Sequence, residues 1–339
     1  MRLVTRADFD GLACSALLDH IGIIDLWEFV HPTDVQNNKV KVTGDDIIAN
    51  LPFVKGCKIW FDHHTSETGR LGREFFEESE PVMAAKYAAA FVPALGAVTR
   101  EAGEAAEYHT LKVSYAAPSC ARVVADYYTK QGYNLEQFAE MLRFVDKVDS
   151  GDLSASELAA PSGWVLFGLI MDPRTQLERA KKYTVGIKEL TEKLSTAMQK
   201  LTIDELLALP DVRERVEVYE SQMERFTETA RRCCRVDANV IVMDMRGVKE
   251  IPIGNRFALY TLYPEQNISV TVMDGRAKDS VAIAVGYSVI NRTAAIDVGA
   301  LLLQYGGGGH KQVGSCSAAK KDAERVIAEI IRACRKESA

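Results

Sequence analysis

Four short segments carry side chains whose types and spacing suit phosphate chemistry. Asp8 and Asp10 directly follow the apolar run of MRLVT. If the backbone stays extended there, their i, i+2 spacing points both carboxylates the same way, and paired carboxylates attract a hard divalent cation. A plain Asp-x-Asp-Gly turn is the competing reading. In IWFDHHTSE, Asp62, His63 and His64 stand at the end of an apolar strand. Imidazoles there need polar partners or a ligand, and an adjacent carboxylate can fix the tautomer of a ligating ring. A solvated loop with two histidines is the alternative. In FVDKVDSGDL, Asp146, Asp149 and Asp152 recur every third residue, so that one of them either completes a metal site or simply punctuates a helix end. In YGGGGHKQVGS, Gly306, Gly307, Gly308 and Gly309 precede His310. A run without β-carbons lets backbone N–H groups approach a phosphate. Its place between two apolar segments favours ligand contact over a flexible linker. Arg292, after a predicted strand, offers the bidentate cation that phosphate recognition uses, unless it is an ordinary surface arginine.

These residues need elements to position them. MRLVT reads as a short buried strand, and Leu12 to about Ile21 as a helix, a β-turn-α opening. IDLWEFVHP and CKIWFD read as second and third strands. Strands alternating with helices predict a parallel sheet with ligands gathered beyond the strands' carboxyl ends. The alanine-rich stretch from Ser79 to Ala106 predicts a helical insertion, suited either to a homodimer contact or to covering the sheet edge. Ser119 is placed to cap a helix over CARVVADYY. From Ser154 to about Arg232 helix formers dominate. Beyond Val236, ANVIVMDMR, RFALYTLYP, ISVTVMDG and VAIAVGY are runs rich in β-branched and aromatic residues, read as four strands. A helix over Asp297 to Tyr305, the glycine turn, a short strand through Gly314 to Ser317 and an amphipathic helix with Val326, Ile330 and Cys334 on one face complete the chain.

A length of 339 residues suits two cores and a cleft better than one core. The expected division is 1–152, a metal-binding α/β domain; 153–235, a helical extension and linker; and 236–339, a substrate-binding domain. With 47% hydrophobic and 26% charged residues, the composition is that of an ordinary globular protein, neither disordered nor membrane-spanning. Acidic residues appear before any apolar run long enough for a signal peptide, so the expectation is a cytoplasmic protein without a membrane partner. Seven scattered cysteines read as reduced thiols. A formal charge of −6 argues against coating long duplex nucleic acid and leaves room for a basic pocket around a short anion.

In order and across nearly the whole chain, DFDG, DHH, VDSGD and GGGGH resemble the motifs of the DHH phosphoesterase superfamily with its DHH-associated C-terminal domain. The likeness is greatest to the bacterial exopolyphosphatase-related group, near the nano-RNases and 3′-phosphoadenosine 5′-phosphate phosphatases. The resemblance implies a doubly wound α/β domain followed by a smaller mixed-sheet domain. It also implies a divalent-metal-dependent hydrolase using Mn²⁺ or Mg²⁺, with one or two ions, on a small phosphorylated substrate: polyphosphate, a nucleoside bisphosphate or a short oligonucleotide. By it, Asp8, Asp10, His63 and Asp149 ligate metal, His64 faces phosphate with Asp62 in support, and Arg292, Gly307, Gly308, Gly309 and His310 bind substrate. Two positions depart from the pattern. The family commonly places a histidine just before the first aspartate pair, where this chain has Val4 to Arg6, and an aspartate where it has Asn50, a neutral oxygen ligand at best. His31 and Asp34 are candidates to make up the set. A nucleotide-binding or regulatory protein that keeps the fold with weakened catalysis is the second expectation.

Overall fold

The computed structural model describes residues 1–64, 67, 81–82, 91–95, 110–114, 117–251, 253–275 and 279–336. The chain forms two compact units, one of residues 1–152, 162–173 and 178–216, the other of residues 153–161, 174–177 and 217–339. The first unit carries strands β1 (Arg2–Arg6), β2 (Leu26–Val30), β3 (Asp46–Ala49), β4 (Ile59–Asp62), β5 (Pro81–Val82), β6 (Phe91–Leu95) and β7 (Thr110–Ser114). Its helices include α1 (Phe9–His20), α2 (Pro32–Gln36), α3 (Cys120–Lys130), α4 (Ala139–Asp149), α5 (Gly163–Met171) and α6 (Ile187–Ala197).

The sheet order is β2-β1-β3-β4-β7-β6-β5, parallel from β2 through β7 and antiparallel at the β6 and β5 edge. Leu3, Val4, Ile47, Ile48, Trp60 and Phe61 are buried whichever face they point to, as expected when helices cover both sides of a parallel sheet. After β2 the chain crosses back over β1 to form β3, so the connections at the carboxyl ends of β1 and β3 depart in opposite directions. Such a switch point leaves a crevice there, and the residues just beyond those ends are Asp8 and Asn50. On one side, Phe9 of α1 stacks on Trp164 of α5 with centroids 5.5 Å apart and meets the edge of Phe167 at 5.4 Å.

The doubly wound architecture expected of the N-terminal part is present, with differences of detail. DIIA forms β3, a strand absent from the sequence reading. It is only four residues long and opens on an aspartate, too short for an alternation signal. Of the alanine-rich stretch, Pro81–Val82 and Phe91–Leu95 are strands instead of helix; these segments hold a single alanine, and Val82, Phe91 and Val92 suit the pairing of β5 with β6 and of β6 with β7. The rest of that stretch lies outside the described residues.

The long helix α7 (Pro210–Cys233) leads into the second unit. There β8 (Cys234–Asp237), β9 (Val240–Asp244), β10 (Ile268–Asp274), β11 (Ser280–Tyr287), β12 (Gly308–His310) and β13 (Val313–Ala319) form a sheet of order β12-β13-β11-β10-β9-β8. Among the described residues of this sheet, only β9 and β10 pair in parallel. With it go α8 (Ala258–Leu262), α9 (Val298–Leu303) and α10 (Ala323–Lys336). Val326, Ile330 and Cys334 of α10 are buried in the same core as Val270, Ile283 and Val285, as the amphipathic pattern predicts. RFALYTLYP, expected as a strand, holds α8 instead. Asn255 accepts from Phe257 N through its side chain at 2.9 Å and from Ala258 N through its carbonyl at 2.9 Å, a local turn that starts a helix before any strand can pair. Two of the four glycines, Gly308 and Gly309, lie in β12, and Gly309 has φ 152°. A β-carbon there would come within 2.3 Å of Val313 O, so glycine is required for the hairpin itself.

Candidate metal centre

β1 ends at Arg6, and Asp8 caps α1: its Oδ1 accepts from Gly11 N at 3.0 Å. Asp10 already lies inside the first turn of α1. The extended i, i+2 geometry expected for Asp8 and Asp10 therefore does not arise, because the helix starts between them. The two carboxylates take separate partners. Gly11 makes this tight entry feasible, since a β-carbon at that position would stand 1.9 Å from Arg6 O.

Asp10 is buried, and its two oxygens accept from Cys120 N at 3.0 Å and Ala121 N at 2.8 Å, the first amides of α3. These donors lack intrahelical partners and sit at the positive end of the helix dipole. Ser119 caps the same helix by accepting from Arg122 N at 3.1 Å, as its position in the sequence suggests. Its hydroxyl donates to Asp146, which also holds Arg122 at 2.6 Å. Asp146 is thus a structural anchor between α3 and α4.

Three residues from Asp146, Asp149 ends α4. Ser150 and Gly151 close that helix: Asp152 N donates to Lys147 O at 2.8 Å and Gly151 N to Val148 O at 3.2 Å, with Gly151 at φ 68°, a Schellman stop. Asp152 therefore serves the helix end. Asp149 places a carboxylate at a helix C-terminus, where the dipole disfavours negative charge.

His63 joins these groups. Its Nδ1 is 3.3 Å from Ala117 O, which favours a proton on Nδ1 and turns Nε2 toward the carboxylates. Nε2 lies 3.2 Å from Asp149 Oδ2 and 3.7 Å from Asp10 Oδ2, yet it is buried without a well-directed hydrogen bond. Among the described residues, Asp10, His63 and Asp149 form a group whose ligand atoms all lie within 4.8 Å of one another. Burial, then the charge of Asp149, push the Asp10 carboxyl up to about 7. For His63, burial acts downward, but the close Asp149 carboxylate and then that of Asp10 outweigh it and lift the ring to about 10. A buried imidazole nitrogen without a directed bond, facing two crowded carboxylates, fits a divalent cation in donor type and charge.

The remaining site candidates fall into place around this group. His64 Nδ1 meets Asp62 Oδ1 at 2.7 Å, with Asp62 fully buried. Burial lowers the His64 ring, and the Asp62 carboxylate more than restores it, so the net shift is upward. Asn50, at φ 55° just past β3, donates its amide to Asp8 Oδ1 at 3.0 Å, and Arg6 Nε stands 2.8 Å from Asp8 Oδ2. Arg6, passed over in the sequence because arginine is no metal ligand, and the Cys120 and Ala121 amides are what sequence reading missed. Only Ser119 hinted at a helix start there. Asp34 is paired with Lys39 at 3.0 Å, and neither it nor His31 is in the metal-type group. In the second unit, Arg292 is exposed, with Nε donating to Val289 O at 3.0 Å, and Gly307 precedes the β12 strand that ends at His310.

The fold places an acidic, histidine-bearing group suited to a divalent metal at the switch point of its first sheet. No protein-family model and no curated protein matches the sequence. Solved structures do. The chain is similar to the pGpG-specific phosphodiesterase PggH from Vibrio cholerae, at 36% identity over 99% of each chain with a TM-score of 0.77. It shares its fold with a DHH domain from a protein described as a member of a family of ribosomal proteins, at 14% identity over 100% of this chain and 87% of that one, TM-score 0.50. The chain belongs to the DHH phosphoesterase superfamily and is an enzyme of that class. Among the described residues no helix is long and apolar enough to cross a membrane.

Proposed function

We propose that this chain is a Mn²⁺-dependent phosphodiesterase that hydrolyses a short linear oligonucleotide, with a 5′-phosphorylated dinucleotide such as pGpG as its substrate. The observation that carries the reading is the convergence of Asp10, His63 and Asp149 on one point. The substrate class is taken from the 36% identical phosphodiesterase. Asp10, His63 and Asp149 would hold the ion; mixed carboxylate and imidazole donors favour Mn²⁺ over Mg²⁺. When bound, the ion supplies a water acidified toward neutral pH and a Lewis acid for a phosphoryl oxygen.

The rest of the chemistry belongs to the protein. Asp62 holds His64 at Nδ1 and favours its charged form, in which Nε2–H would donate to a phosphoryl oxygen as charge builds there. The Cys120 and Ala121 amides orient Asp10. Arg292, Gly307, Gly308, Gly309 and His310 are the proposed holders of the substrate's phosphates, through guanidinium and backbone N–H donors.

The test is product release by purified protein with Mn²⁺, Mg²⁺ or chelator, offered pGpG, a nucleoside 3′,5′-bisphosphate, pyrophosphate and polyphosphate. Mn²⁺-dependent cleavage of the dinucleotide that Asp10→Ala abolishes is the expected result. Cleavage of polyphosphate or bisphosphate alone would refute the substrate class. Tight dinucleotide binding without turnover under any metal would refute the activity and leave a nucleotide-binding protein.

A further inference from the structure

The Asp8 carboxylate is fully engaged by groups that carry positive charge or donate hydrogen. Arg6 Nε is 2.8 Å from Oδ2, and Asn50 Nδ2 and Gly11 N each donate to Oδ1 at 3.0 Å. The orientation of the Asn50 amide follows from chemistry: its oxygen would repel Asp8, whereas its NH₂ can donate. Asn50 is held rigidly, 2% exposed, with its backbone N donating to Phe61 O at 3.2 Å. Arg6 Nε is buried and holds Asp8 as an ion pair, without the alignment of a hydrogen bond. A cation on Asp8 would have to displace a guanidinium and leave the Asn50 amide facing a positive ion.

Charge points the same way. Asp8, Asp10 and Asp149 bring three negative charges to this end of the sheet. One divalent ion on Asp10, His63 and Asp149, together with Arg6, matches them. A second divalent ion would leave an excess of positive charge against a guanidinium that cannot shed its proton. Asp62 and His64 form their own paired unit and do not alter this balance.

Resting on the metal-dependent reading above, we infer that this centre takes a single divalent ion, and that Arg6, with the Asn50 amide, occupies Asp8 in place of a second one. Arg6 and Asn50 are positioning residues: they neutralise Asp8 and keep the entry to α1 in place without touching the ion.

Metal content decides this without recourse to activity. The wild-type chain, stripped with chelator and titrated with Mn²⁺, is followed by native mass spectrometry and electron paramagnetic resonance. One ion per chain at saturation, with the uncoupled six-line spectrum of an isolated Mn²⁺, is expected. Two ions per chain with an exchange-coupled spectrum, as for ions about 3.5–4 Å apart, would overturn the inference while leaving the hydrolase reading intact. No bound ion would overturn both. The double substitution Arg6→His with Asn50→Asp should raise the count to two. If that variant is folded by circular dichroism and still binds one ion, Arg6 and Asn50 are not what excludes the second. If it fails to fold, the wild-type count alone decides.

Discussion

Loading the centre with metal should expel a proton, and the structure says how much. Without an ion, the His63 ring is raised to about 10 by Asp149 and Asp10 against the downward pull of burial. At pH 8 such a ring is about 99% protonated. Coordination through Nε2 requires the neutral ring, so each ion bound at pH 8 releases about one proton. Asp10, lifted to about 7, adds a fraction that grows as the pH falls toward 7. Apparent affinity therefore rises roughly tenfold, about 1.4 kcal/mol, for each pH unit between about 7 and 10. The gain fades above the His63 value, where no proton remains to be displaced. Isothermal titration with Mn²⁺ in buffers of different ionisation enthalpy measures the count from the slope of observed heat against buffer enthalpy. A slope near zero at pH 8 would refute the pairing of His63 with the carboxylates. So would an unchanged slope in His63→Ala.

Two further outcomes follow from the packing. Gly11→Ala puts a β-carbon 1.9 Å from Arg6 O, which forces α1 away from β1 and carries Asp10 with it; a loss of about 1–3 kcal/mol in urea unfolding, together with weaker Mn²⁺ binding, is expected, and wild-type values of both would contradict the tight entry. Burial raises the Asp46 carboxyl, but bonds from Arg2 at 2.7 Å and Thr43 N at 2.7 Å outweigh it and leave it below the usual range; Asp46→Asn should cost about 1–3 kcal/mol at pH 7, a loss that shrinks as the pH falls below about 4 toward the lowered native value, and a pH-independent difference would count against the pair.

The strongly patterned pieces of this chain were legible without coordinates. MRLVT and CKIWFD, apolar and bounded by polar turns, mark β1 and β4, and the motifs on their carboxyl ends carry Asp10 and His63 to one place. Asp149, recognisable only as one of three aspartates in a helix-ending segment, joins them, while Asp146 and Asp152 are absorbed by Arg122 and by the stop of α4. What the sequence hid is geometry that depends on partners far away. That α1 starts at Phe9, so that Asp8 and Asp10 part company, follows from a cap. That Arg6 turns to Asp8 depends on where β1 ends. Asn50 reads as a weakened ligand in one dimension and as a hydrogen-bond donor to Asp8 in three. DIIA and RFALYTLYP show the same limit, since a four-residue strand and an Asx-started helix have too little periodicity to betray themselves.

Asp10 and Asp149 stand 139 positions apart in the chain, brought together from the start of α1 and the end of α4. An ion held by both, with His63 between, is a cross-link across most of the first unit, and one that the unfolded chain cannot reproduce. Ligand present at about a hundred times its dissociation constant adds about 2.7 kcal/mol to the folded state. Metal would then govern more than turnover: protein stripped of the ion should open more often and be cut sooner by an added protease than the loaded form.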